Sequence, residues 1–220
     1  MLDVFGELDF SDVFSFAPTL YWGFPYVGVF RQNLAALEDR LLQNRPKDIE
    51  GCRVPTALSV YDATDKELRV LTSGPLSVGI AASAAVPGLM HGVDDADGHR
   101  LVDAGVGGDM LGVAGCGDDE NVLCINLFLR AFIPQAPPRL RKLLIVDLFG
   151  VPFVTPNSLK EKGPLARDAA YAAMKHALET PLPEYAGGPR RLEVNKAGDA
   201  PPSRPEAQAH QASFVDLVRS

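Results

Sequence analysis

The sequence predicts an α/β fold in which helices pack on a mainly parallel central sheet. Residues 121–129 form a continuous apolar run, a pattern typical of a central parallel strand that is buried on both faces, and residues 142–149 have the pattern of another strand. Amphipathic helical patterns precede and follow these runs, and such an alternation is typical of an α/β sandwich. At 220 residues, of which 46% are hydrophobic and 22% charged, the chain is long enough to bury the core of one domain.

The first 26 residues are unusually aromatic, and prolines and glycines interrupt them, so a long helix is not expected here. Trp and Tyr suit a membrane interface, and one interpretation is therefore a lid that contacts lipid. The other is that the rings pack into a core. The aromatic residues are Phe5, Phe10, Phe14, Phe16, Tyr21, Trp22, Phe24 and Tyr26.

An amphipathic helix is expected next, over residues 27–43, because apolar side chains recur there at helical spacing. The helix should end before Arg45, since the residue that precedes a proline is pushed out of the helical region. The apolar positions are Phe30, Leu34, Leu37 and Leu41.

A β-hairpin should follow, with strands at residues 54–61 and 67–72 joined by the turn D-A-T-D-K. Asp62 and Asp65 lie in this turn. We interpret them as turn residues rather than as a paired acid and base, because Asp side chains stabilise turns by bonding to nearby backbone.

Residues 73–109 contain the candidate catalytic group. A small-residue helix is expected over residues 76–86, followed by a tight hairpin turn across residues 94–98 and a short strand that ends at Asp103. A carboxylate held at a strand end by a glycine-rich turn is well placed to orient a nucleophile or to accept its proton. The supporting turn consists of Ala104, Gly105, Gly107 and Gly108.

A second amphipathic helix is expected over residues 164–180, with Pro164 at its start. His176 lies off the apolar stripe of this helix, which indicates a surface position. Residues 181–220 are rich in Pro, Gly and charge, so we expect a disordered tail. The stripe consists of Ala170, Tyr171, Met174, Ala177 and Leu178.

Four motifs, in this order, resemble the patatin-like phospholipase family of lipid acyl hydrolases. They are V-P-T-A-L-S-V-Y-D-A-T-D at residues 54–65, S-G-P-L at 73–76, A-A-S-A-A-V-P-G at 81–88 and V-D-A-G-V at 102–106. Each motif alone is weak evidence, but their order and short spacing together support the resemblance. A partial patatin-like domain would then span residues 27–180, between the aromatic segment 1–26 and the tail 181–220.

The resemblance implies a three-layer α/β/α fold and the hydrolysis of lipid acyl esters by a serine and aspartate dyad without histidine. Asp103 would be the dyad acid, which accepts the serine proton. The implied partner is a lipid or acyl-ester substrate, with peripheral membrane contact as an open possibility. Neither a cofactor nor a metal ion is expected.

The sequence departs from the family pattern in two places. The family's nucleophile lies in G-x-S-x-G, and none of the ten serines has this context. We therefore expect an incomplete chain that lacks the nucleophile and its oxyanion loop and is inactive alone. Ala104 stands where the family has glycine, and if that position requires a positive φ, the strain costs about 1 kcal/mol.

Two other functions stay open. The first is a non-catalytic, lipid-binding or regulatory member of the family. The second is a different serine hydrolase built from Ser83, Asp103 and His176, in which A-A-S-A-A is a degenerate nucleophile elbow. The residues before Ser83 make a poor strand, which weighs against this triad, and Ser77 is a weaker candidate still.

Composition argues against several other classes of function. The net charge is −7 and basic residues do not cluster, which disfavours a nucleic-acid partner. Cys52, Cys116 and Cys124 lack the spacing of a disulfide framework or a zinc site. The acidic turn at residues 94–98 lacks the ligand pattern of a calcium loop.

The remaining expectations concern two histidines and the cellular location. His91 and His99 flank the hairpin turn, where we expect solvated side chains. The sequence shows no signal peptide and no transmembrane segment, so we expect a cytoplasmic protein, with membrane association as an open alternative. The lipid class and the oligomeric state stay open.

Overall fold

The computed structural model describes residues 14–16, 28–42, 45–127, 135–152, 154 and 158–194. The chain divides into two compact units, Met1–Gly115 and Cys116–Ser220, at a boundary that the sequence patterns do not reveal. Helices and strands occur in both units, which confirms the α/β class. The larger sheet of the first unit is antiparallel, so the prediction of a mainly parallel sheet holds only for the second unit.

The described residues of the first unit form two antiparallel sheets. In chain order its elements are β1 Phe14–Phe16, β2 Phe30–Gln32, α1 Leu34–Leu41, β3 Leu58–Asp62, β4 Glu67–Leu71, α2 Leu76–Ser83, β5 Val93–Asp94 and β6 Arg100–Asp103. β1 pairs with β2, and the other strands form a sheet in the order β4-β3-β6-β5. Both predicted hairpins are confirmed, although β3 begins only at Leu58.

The helix expected over residues 27–43 is much shorter in the structure, because its first part is a strand. Phe30 has the spacing of the helical stripe, but it lies in β2 and pairs with Phe16. α1 begins after Asn33, whose side-chain oxygen accepts a hydrogen bond from the Ala36 N–H at 3.2 Å. Helical spacing could not reveal this pairing, since the partner strand is distant in the sequence.

α2 packs closely on the antiparallel sheet. Ala81 and Ala82 are fully buried, and a Cβ on Gly79 would lie only 2.5 Å from Leu58 Cδ1. The helix ends at Ser83, three residues before the expected end. The buried residues of this core are Leu37, Val60, Ala81, Ala82, Val93 and Leu101. Small side chains thus let the helix approach the sheet that carries Asp103.

The second unit contains a parallel sheet. Its elements are β7 Val122–Asn126, β8 Leu143–Leu148, α3 Leu159–Leu178 and β9 Arg190–Val194, and the strand order is β7-β8-β9. β8 confirms the strand predicted over residues 142–149, and it is buried along its whole length. β7 exposes Leu123 and Ile125, so the prediction that this run is buried on both faces is wrong. Ala173 and Ala177 of α3 pack against the side chains of β8 and β9.

Three further predictions for the second unit are corrected. α3 begins at Leu159, so Pro164 lies within the helix rather than at its start. Tyr171, which was assigned to the apolar stripe, is 75% exposed. Residues Arg190–Val194 fall in the tail that was expected to be disordered, but they form β9 by pairing in parallel with β8. The tail after residue 194 lies outside the described residues.

Little of the aromatic segment 1–26 belongs to the described part of the chain. Phe14 and Phe16 lie in β1, and the Phe16 ring, which is 71% exposed, meets the Phe30 ring edge to face at 6.0 Å between centroids. The other aromatic residues of the segment lie outside the described residues. The choice between a core and a lid therefore stays open.

Candidate active site around Asp103

Asp103 is the last residue of β6 and is half-buried. It lies opposite Val60 of β3 in the sheet register. Its backbone N–H donates to the Ala85 carbonyl at 3.1 Å, which ties the strand end to the segment that follows α2. The sheet and α2 together therefore fix the position from which the carboxylate projects.

A glycine turn holds one oxygen of this carboxylate. Residues Ala104–Gly107 form a single 3-10 turn, and the Gly105 N–H donates to Asp103 Oδ1 at 2.8 Å. A Cβ on Gly105 would itself lie 2.8 Å from the same oxygen, so a larger residue here would push the carboxylate out of this position. Gly108 has a φ of +92° and lets the chain turn away after the 3-10 turn.

Ala104 fits the turn without backbone strain. It is buried within the 3-10 turn, and Lys66 is the one non-glycine residue in the described ranges with a positive φ. The strain that would follow from a positive φ at position 104 therefore does not arise.

The surroundings of Asp103 favour its protonated form. Burial raises the pKa of this carboxyl above its ordinary value, the hydrogen bond from Gly105 partly offsets that effect, and the charge of Asp109 raises the pKa further. Within the described part of the chain, no group donates a hydrogen bond to Oδ2. Asp103 thus has one anchored oxygen and one oxygen that can accept a proton.

The candidate serines are not bonded to this carboxylate. Ser83 is half-buried at the end of α2, and no hydrogen bond among the described residues joins it to Asp103. It follows a helix rather than a strand, unlike a nucleophile elbow. Ser77 is buried, and its hydroxyl donates to Glu38 Oε1 at 2.6 Å. His176 is half-buried on α3 in the second unit.

A second polar cluster lies in the first unit, and sequence reasoning missed it. Asp62 is 0% exposed, and its Oδ1 accepts hydrogen bonds from the Thr64 and Asp65 N–H groups at 2.8 and 3.1 Å. Its Oδ2 lies 2.9 Å from Arg69 Nη1 and 2.7 Å from His99 Nδ1. The turn role of Asp62 is therefore confirmed, but the same carboxylate also joins the side chains of Arg69 and His99.

Burial by itself would raise the pKa of Asp62, but the hydrogen bonds outweigh it and lower the pKa to about 2. The hydrogen bond to Asp62 raises the pKa of His99. The His99 side chain is 30% exposed and bonded to a carboxylate. His91 is buried, and its backbone N–H donates to the Phe30 carbonyl. The prediction that these two side chains are simply solvated is wrong.

Asp62, Asp65 and His99 place three potential metal-ligating atoms within 4.8 Å of one another. However, the Asp62 oxygens already accept from four N–H groups, among them those of Arg69 and His99. A metal ion would have to displace these donors. The cluster is therefore better described as acidic groups that are neutralised by the protein's own cations.

Comparison with known proteins adds no assignment. No protein-family model matches the sequence, and no curated protein is significantly similar to it. None of the described helices has both the length and the apolar character that crossing a membrane requires.

Proposed function

We propose that Asp103 is the proton acceptor of a serine and aspartate dyad in a lipid acyl hydrolase. The observation that carries the proposal is the state of this carboxylate, half-buried at the end of β6 with Oδ1 held by Gly105 and Oδ2 without a donor among the described residues. The four patatin-like motifs supply the substrate class and the reaction type. The serine would come from a segment outside these 220 residues, since no G-x-S-x-G is present.

The chemistry follows from the role of the carboxylate. Asp103 Oδ2 would accept the proton of the serine hydroxyl while the serine oxygen attacks the ester carbonyl. The protonated Asp103 would then return this proton to the leaving alcohol, which leaves an acyl-serine. Water would repeat both steps, with Asp103 again as base, and release the fatty acid. A carboxyl group whose pKa is raised accepts such a proton more readily than an ordinary one.

The chain alone should be almost inactive, because removing the nucleophile from such a dyad removes most of the rate. We further propose a cytoplasmic protein with peripheral membrane contact. The exposed ring of Phe16 and the aromatic content of the first 26 residues support that contact.

The test begins with the transcript upstream of the Met1 codon. If it encodes an in-frame G-x-S-x-G, the longer protein should hydrolyse phosphatidylcholine vesicles. The substitution Asp103→Asn should lower the rate by about a thousandfold. Asp97→Asn, which removes an exposed carboxylate in the same unit, should leave the rate unchanged. Full activity of the Asp103→Asn enzyme would overturn the proposal.

The two alternatives have their own outcomes in this test. A start at Met1 without an upstream serine motif, together with vesicle binding but no hydrolysis, would favour a non-catalytic lipid-binding protein. Labelling of this chain by a fluorophosphonate at Ser83, lost in Ser83→Ala, would favour the triad of Ser83, Asp103 and His176. Either result would replace the dyad proposal.

A further inference from the structure

We propose that Asp109 is a positioning residue for Asp103: its carboxylate clamps the loop that follows the glycine turn and thereby sets the surroundings of the Asp103 carboxylate. The proposal rests on the proposed function only in treating Asp103 as the catalytic acid. The geometry of the loop and the electrostatic effect can be measured in this chain without a substrate.

The clamp consists of two backbone hydrogen bonds. The Val113 N–H donates to Asp109 Oδ1 and the Ala114 N–H donates to Asp109 Oδ2, each at 2.9 Å. Hydrogen bonds from two N–H groups to the two oxygens of one carboxylate fix its orientation. Val113 is 4% exposed, so the clamp is attached to a buried residue rather than to a free loop.

The clamp is connected to Asp103 through the turn. The Asp109 N–H donates to the Ala104 carbonyl at 3.2 Å, and the Gly108 N–H donates to the Gly105 carbonyl at 3.2 Å. Gly105 in turn holds Asp103 Oδ1. A continuous set of hydrogen bonds therefore runs from the Asp109 side chain to the carboxylate of Asp103.

The charge of Asp109 reaches Asp103 as well. The neighbours of Asp103 on the adjacent elements are Val60 on β3 and Ala85 after α2, and neither carries a charge. Of the charged side chains in the described part of the unit, Asp109 is the one whose charge raises the pKa of Asp103. An anion that is held in place near a second carboxylate makes that carboxylate a stronger base.

The test is an NMR titration of the Asp103 side-chain carboxyl carbon in the whole chain. In Asp109→Asn the pKa of Asp103 should shift downward, because the charge is lost while the side chain keeps its shape and one acceptor oxygen. In the control Asp97→Asn, which removes a charge from the exposed hairpin turn, the pKa of Asp103 should stay at its wild-type value. An unchanged Asp103 pKa in Asp109→Asn would overturn the proposal.

A second measurement separates the clamp from the charge. In Asp109→Ala, amide hydrogen exchange should accelerate at Val113, Ala114 and Gly105, whereas Asp97→Ala should leave these amides protected. If neither Asp109 variant folds, the wild-type protein can be titrated at low and high salt instead. High salt should lower the Asp103 pKa, because it screens the charge of Asp109. No salt effect would then count against Asp109. If the longer protein fails to hydrolyse lipid, the proposed function of Asp103 is wrong. The effects of Asp109 on the Asp103 pKa and on amide exchange are measured in this chain and do not depend on that outcome.

Discussion

Asp62 and Asp103 each end a strand of the same antiparallel sheet, and the two carboxylates behave in opposite ways. Asp62 is fully buried and accepts four hydrogen bonds, which lower its pKa to about 2. Asp103 is half-buried and accepts one, and its pKa is raised. The comparison shows that several hydrogen-bond donors outweigh burial at Asp62 and lower its pKa, whereas at Asp103, with a single donor, burial prevails and the pKa is raised.

The largest expected effect is on stability at Asp62. Asp62→Asn should lower the free energy of unfolding by about 2 kcal/mol, because it removes the buried charge that Arg69 and His99 share. The loss stays below that of a fully buried ion pair, since both partners are about a third exposed and keep a second carboxylate, Asp95 or Asp65. Asp103→Asn should change the free energy of unfolding by less than about 0.5 kcal/mol, since no cation among the described residues pairs with that carboxylate and Asn keeps an acceptor for the Gly105 N–H. Urea unfolding of both variants measures the difference. Equal losses of unfolding free energy in the two variants would show that Asp62 and Asp103 contribute equally to stability.

Gly105→Ala tests how the glycine turn holds Asp103. The new methyl group would lie 2.8 Å from Asp103 Oδ1, so the carboxylate must move and its hydrogen bond weakens, at a cost of about 1 kcal/mol. Chemical shifts of the Asp103 side chain should change with it. Gly188→Ala is the matched control, because a Cβ there meets nothing within 4 Å. Identical chemical shifts of the Asp103 side chain in Gly105→Ala and in the wild type would contradict the close approach of Gly105 to the Asp103 carboxylate.

The pH dependence of stability should have opposite signs at the two aspartates. The pKa of Asp62 is lowered from 3.8 to about 2, so its contribution is present above 3.8 and is lost as the pH falls through about 2. The pKa of Asp103 is raised, so its contribution is present below 3.8 and is lost as the pH rises through the folded value.

His99 adds a third signal to the same measurement. Its pKa is raised above 6.5 by Asp62, so its contribution is present below 6.5 and is lost as the pH rises through the folded value. Urea unfolding across this range, repeated with His99→Gln and Asp103→Asn, assigns each change. If His99→Gln leaves the pH dependence of the unfolding free energy unaltered near neutral pH, the bond between His99 and Asp62 does not contribute to stability.

The smallest expected effect is at Asp65, the exposed member of the cluster. Its carboxylate lies 3.3 Å from His99 Nδ1 but is 52% exposed, and the bond to Asp62 comes from its backbone. Asp65→Asn should therefore change the free energy of unfolding by less than about 0.5 kcal/mol. A loss of unfolding free energy as large as that of Asp62→Asn would mean that the exposed Asp65 carboxylate stabilises the fold as much as the buried one does.

Local patterns were sufficient for much of the first unit. Turn residues and alternating apolar positions predicted both hairpins, and Asp103 does end a strand and precede a glycine turn. The same local reasoning misplaced Phe30 and missed β9, since both strands are defined by partners far away in the sequence. It also treated Asp62 as a turn residue and His99 as solvated, because the distance between them depends on how β3 pairs with β6.

By itself the sequence determined the α/β class and the position of Asp103 at a strand end, because these depend on short-range periodicity and on the conformational freedom of glycine. Tertiary structure alone decided the antiparallel order of the first sheet and the contrasting acidities of Asp62 and Asp103. The physical reason is that the pKa of a carboxylate depends on donors and charges brought near it by strand pairing, and a linear pattern contains no such distances.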